Sequence, residues 1–135
     1  MKKTILSLAI LCTAVLASCE KKMNCTDFKT GTFLISKDTL FTNAPRLIKT
    51  ATSQQQISSK GDTLFANVKW LNDCSYKLTF DKTKMMLSAF HINTNTRGGF
   101  LVEFGQPTGS IMPYISVIKG ETKTETFHGF LKKVK

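Results

Sequence analysis

Few side chains in this 135-residue chain are able to act as nucleophiles, bases or metal ligands: four cysteines (Cys12, Cys19, Cys25, Cys74), two histidines (His91, His128) and nine carboxylates. A metal centre needs several such groups at close, recognisable spacing. His91 and His128 stand in separate segments with no second ligand at such an interval. Acid–base or nucleophilic chemistry needs groups paired in a pocket. Asp27, Asp62, Asp73 and Asp81 instead fall in or beside turn sequences, where aspartate serves local hydrogen bonds. Gly-x-Ser-x-Gly, phosphate-loop and zinc spacings do not occur. The chain is therefore read as non-enzymatic, with no catalytic residue, metal ligand or cofactor. Thiol chemistry remains.

What the thiols do depends on where the chain goes. Met1-Lys2-Lys3 is followed by an apolar run from Thr4 to Leu16 and then by Ala17 and Ser18. A basic start, a short apolar core and small residues make a secretory signal peptide, and the run is well short of the roughly 20 residues needed to span a bilayer. Leu16-Ala17-Ser18-Cys19 resembles the lipobox of bacterial lipoproteins. The resemblance implies diacylglyceryl transfer to the Cys19 thiol and cleavage before it; two or three acyl chains then hold the protein on a membrane, at about 0.8 kcal/mol per buried methylene. Glu20 follows Cys19 where inner-membrane retention uses Asp, which by the same resemblance favours the outer membrane, with its periplasmic face expected. Cys12 leaves with the signal peptide and Cys19 is acylated. Cys25 and Cys74 remain in an oxidising compartment, where a disulfide is expected and two buried free thiols are the alternative.

Loss of Lys2 and Lys3 leaves 17 basic against 9 acidic residues, a net charge of +8 over 117 residues. That length suits one domain. Export argues against nucleic acid, so the charge is read as a soluble surface or as attraction to anionic envelope lipid or polysaccharide. Three parts follow: a signal peptide over 1–18, a lipid-anchored tether over 19–27 and a β domain over 28–135.

The β domain has to position whatever site there is, and its patterning is period two. Leu64, Ala66, Val68 and Trp70 share one face. After a turn at Leu71-Asn72-Asp73, Cys74, Tyr76, Leu78 and Phe80 alternate against Ser75, Lys77 and Thr79, which predicts a hairpin. On this reading Cys74 points inward near Trp70. Gly31, Phe33 and Ile35 form the inner face of a first strand; Met86, Ser88, Phe90 and Ile92 of another, with His91 outside; Phe100, Val102 and Phe104 of a third. Pro107, Gly109 and Pro113 punctuate the next connection, after which Tyr114–Ile118 and Thr122–Val134 read as strands. Leu40-Phe41 reads as a strand start, and Ser53-Gln54-Gln55-Gln56, polar on both faces, as an edge or exposed extension. No helical stripe is evident after the signal peptide. The expected fold is all-β: an antiparallel meander of eight or nine strands, closed as a small up-and-down barrel or left as a strongly curved sheet, with one disulfide.

Cys25-Thr26-Asp27-Phe28-Lys29-Thr30-Gly31-Thr32-Phe33 and Val68-Lys69-Trp70-Leu71-Asn72-Asp73-Cys74-Ser75-Tyr76-Lys77-Leu78 resemble segments of small uncharacterised Bacteroidota lipoproteins, some of which carry a name borrowed from DNA topoisomerase IV. The chain is far too short for a nucleotide-driven strand-passage machine. Gly31-Thr32-Phe33 is also weakly similar to the first strand of lipocalins, with Phe33 where those carry Trp. Asp38-Thr39-Leu40 and Asp62-Thr63-Leu64, set in the similar runs Ile35–Asn43 and Ile57–Asn67, resemble the O-glycosylation acceptor of Bacteroidota. The expected function is a non-catalytic protein-binding or envelope-assembly module held at a membrane through Cys19. The alternative is a lipocalin-like carrier of a small apolar ligand, and it depends on whether ten phenylalanines fill the barrel or leave a cavity.

Overall fold

The computed structural model describes residues 21–134; the signal peptide expected over 1–18 and the lipid attachment expected at Cys19 lie outside the described residues. Eight antiparallel strands close into a barrel in chain order: β1 (Gly31–Ser36), β2 (Arg46–Lys49), β3 (Ser53–Ile57), β4 (Thr63–Asn72), β5 (Ser75–Phe80), β6 (Phe100–Phe104), β7 (Ile111–Lys119) and β8 (Thr124–Lys133). Phe33 to Ser36 of β1 pair with Lys133 to Phe130 of β8. Closure satisfies every strand edge, so the Ser53–Gln56 run is no edge strand. It is β3, between Arg46–Lys49 and Thr63–Asn67.

The expected alternation holds where it was clearest. Ala66, Val68, Tyr76, Leu78 and Val102 are buried together, and Phe33 is fully buried with Phe28, Leu47, Met112 and Leu131. Four readings are corrected. Cys74 does not point inward: a bulge between Trp70 and Asn72 consumes a residue of register, and Cys74 sits exposed in the turn, its N–H donating to Asn72 Oδ1 at 2.8 Å. Leu40-Phe41 is loop, not strand; Phe41 has φ of 54° and tucks its ring into buried surroundings. The strand expected from Tyr114 begins at Ile111 and includes Pro113. The Pro113 carbonyl accepts from the Gly105 N–H at 2.8 Å, one position past the last β6 rung at Phe104, so the missing N–H forgoes only the reciprocal bond at the end of that ladder.

The fourth correction is the largest. Where the sequence reads a strand over Met86 to Ile92, Ala89–Thr96 is a helix, α1, inserted between β5 and β6. Ser88 caps it, with Oγ accepting from the His91 N–H and the His91 ring nitrogen accepting from the Ser88 N–H. Asn95 pins it to the barrel by donating to Phe80 O at 2.9 Å and accepting from Phe80 N at 2.8 Å.

The two ends of the barrel differ. At one end, a 3-10 turn (Cys25–Phe28) lies beneath the strands, capped by Asn24 and Asp27. Its Phe28 ring is fully buried and stacks on Phe33 with centroids 5.7 Å apart. The Cys25–Cys74 disulfide, Cα–Cα 5.1 Å, fastens this turn to the β4–β5 hairpin. At the other end lie the β1–β2, β3–β4 and β7–β8 loops and α1. Two of these contain the similar runs. Ser36 Oγ accepts from Asp38 N, and Ser58 Oγ from Lys60 N, each at 3.2 Å. The runs then diverge, because Phe65 continues into β4 whereas Phe41 stays in a loop.

Candidate ligand cavity

Period-two alternation sends Ile35, Leu47, Leu64, Ala66, Leu78, Phe80, Phe100, Val102 and Leu131 into the barrel, where they line a cavity of about 230 Å³. Space remains because several inward positions carry small side chains. Ala66 and Ser116 reach it with only one and two heavy side-chain atoms. Tyr114 crosses toward β8 over Gly129, where a Cβ would lie 2.5 Å from the phenol oxygen. Any larger residue at 129 would push Tyr114 out of its place.

The lining is apolar with one polar strip. Gln54 and Gln56 of β3 contribute amides, and Tyr76, Tyr114 and Ser116 contribute hydroxyls. Tyr76 Oη lies 3.5 Å from Gln54 Oε1, at the limit of a hydrogen bond, so both groups keep capacity for another partner. Burial pushes the Tyr76 phenol up, with the Tyr114 phenol adding to it, and burial pushes Tyr114 up as well. Both stay neutral hydroxyls that donate. Among the described residues no charged side chain lines the cavity. Phe90, 55% exposed on α1, stands at the mouth beside Leu64 at 38%.

Beneath the cavity is a buried amine. Lys49, the inward residue after Leu47 on β2, is 2% exposed and its Nζ has no hydrogen-bond partner among the described residues. Four rings surround it at 4.2 Å (Tyr76), 4.9 Å (Trp70), 5.0 Å (Phe104) and 6.0 Å (Phe33). Their faces attract an ammonium, but burial dominates and pulls the amine down to about 7. Lys29 lies over Trp70 as well, also at 4.9 Å, and pairs with Asp73 at 2.8 Å. The aromatic layer thus floors the cavity and separates it from the disulfide end.

Cys25 and Cys74 meet as expected, on the outside of that floor. His91 lies against the Phe80 ring at 4.2 Å, and His128 is exposed on β8. Asp27 accepts from Asn24 N, and Asp81 accepts from Thr83, whose hydroxyl holds the carboxyl below its ordinary value. Among the described residues no three His, Cys, Asp or Glu are placed to hold a metal ion. Thr39 is exposed and Thr63 is half-buried at the start of β4.

Sequence reasoning missed Lys49, Gln54, Gln56 and Phe90. Leu47-x-Lys49 and Gln54-x-Gln56 carry the period-two signal, but polar residues at both parities hide which face is inward. Only the pairing of Gln54 with Ala66 and Lys49 with Gln54 resolves it. No protein-family model, curated protein or solved structure matches the chain.

Proposed function

We propose that this chain is a carrier for a small, mostly apolar molecule with an uncharged polar end. The supporting observation is the cavity itself: about 230 Å³ inside a closed barrel, apolar except for the Gln54, Gln56, Tyr76, Tyr114 and Ser116 strip. A cavity of about 150 Å³ takes up benzene, so this one suits on the order of ten heavy atoms, with anything longer projecting past Phe90. A charged group taken inside would lose its hydration, and the lining gives it no charged side chain to touch, since Lys49 lies beneath the Tyr76 ring rather than in the wall. A hydroxyl, carbonyl or amide instead finds donors and acceptors on β3 and β7. Carriage of a ligand is favoured over the protein-binding or envelope-assembly reading because a purely structural module has no use for unfilled space that costs dispersion contacts. Acylation at Cys19 and residence on the periplasmic face of the outer membrane complete the proposal. Native mass spectrometry of the gently extracted protein tests it: the expected spectrum carries an added mass of a few hundred daltons or less that disappears after organic extraction. An empty barrel that co-purifies with a stoichiometric protein contradicts it.

A further inference from the structure

We infer that the outer face of β4–β5, continued by α1, is a docking surface for an anionic lipid bilayer. Lys69 and Lys77 are directly opposed in the β4–β5 ladder, both exposed and neither in an ion pair among the described residues. Like charges at opposed positions destabilise a sheet. Lys82 and Lys84, exposed in the connection to α1, extend the charge toward the mouth. Asp73 is paired with Lys29, and Asp81, bonded to the Thr83 hydroxyl, lies near the Lys84 charge; Glu103 stands exposed opposite Ser75 on β6, so Lys69, Lys77 and Lys82 outnumber the free carboxylate on this face. Asn67 and Thr79, facing outward from the same two strands, share a surface groove with Ile92 of α1. Apolar side chains stand among the lysines on this surface. Leu71 of β4 and Ile92, in the groove with Asn67 and Thr79, are 49% and 54% exposed.

Scattered apolar side chains set among unpaired lysines suit a bilayer, where the former enter the headgroup boundary and the latter meet anionic lipid. A protein partner would need a contiguous complementary patch instead. The chain's entry point agrees, because the disulfide holds Cys25 against the turn of this same hairpin. A barrel lying on its β4–β5 side brings both its N-terminal connection and the Phe90 side of the mouth to one membrane. The inference requires neither acyl chains at Cys19 nor a loaded cavity, so it fails or stands separately from the carrier reading.

The test uses oxidised chain lacking residues 1–20, which keeps every described element, and sedimentation with vesicles of phosphatidylcholine alone or with one-third phosphatidylglycerol. Binding is expected only with phosphatidylglycerol. Lys69→Gln/Lys77→Gln is expected to weaken it by at least about tenfold and Ile92→Ser to weaken it further. Lys119→Gln/Lys123→Gln, at the tip of the β7–β8 hairpin, is expected to leave it unchanged. Circular dichroism establishes that each variant is folded. Equal losses in the two lysine pairs would reduce the effect to net charge and overturn the inference. So would equal binding to both vesicle types, or no vesicle binding with an acidic protein protected on this face instead.

Discussion

At the closed end of the barrel, Phe28, Phe33, Trp70, Tyr76 and Phe104 form a continuous run of ring contacts with centroids 4.6 to 6.2 Å apart, and the disulfide clamps the plug from outside. In the open half the same strands present Ala66, Ser116, Gln54 and Gln56, and about 230 Å³ stays empty. One alternation thus builds two different interiors, and the difference lies in side-chain volume rather than backbone. The rings supply rigidity near the chain's entry point, while the small and polar residues leave room where α1 and the loops form a mouth. A floor of rings under a hollow allows the upper half to bind without carrying the stability of the fold.

This division predicts unequal mutational costs. Phe33→Ala removes a fully buried ring and is expected to cost about 3–5 kcal/mol, whereas Leu64→Ala at the half-open mouth costs less than about 1 kcal/mol. Urea unfolding of both variants checks this; similar losses would mean that the open half is as tightly packed as the floor.

Lys49 tests the floor itself. The unfolded amine titrates near its ordinary 10.5 and the folded one near about 7. Between these values the unfolded chain binds the extra proton, so stability rises with pH, by about 2 kcal/mol from pH 7 to 9. Below about pH 7 both states are protonated and the contribution is flat. Above pH 9 the raised Tyr76 and Tyr114 act in the opposite sense, because the unfolded phenols ionise first. Lys49→Met is expected to remove the rise while remaining folded; a variant that keeps the same slope would locate the titration elsewhere.

The floor and the cavity were unequally legible in the sequence. Leu64 to Trp70 and Tyr76 to Phe80 announce themselves because one parity is wholly apolar, and the disulfide followed from the fates of four cysteines. Lys49 did not, since a buried lysine contradicts the usual sorting of charge to the surface and it ends a strand of only four residues. The glutamine strand did not either: polar residues on both parities carry no facing signal until the neighbouring register is known. Helix α1 escaped for a different reason. Of its eight residues only Thr94 is buried, so it has no apolar stripe, and its capping partner is His91 rather than the Glu or Gln that marks a helix start.

Ser116→Leu combined with Ala66→Leu fills the hollow with little expected effect on the fold, about 1 kcal/mol or less, because the added carbons enter empty space rather than an already packed core. Calorimetric titration with β-naphthol, a neutral two-ring alcohol, then tests whether the hollow is a binding site. The account predicts saturable one-to-one binding to the unaltered protein and none to the filled variant at matched stability. No saturable binding to the unaltered barrel, or the same affinity in both, would contradict it.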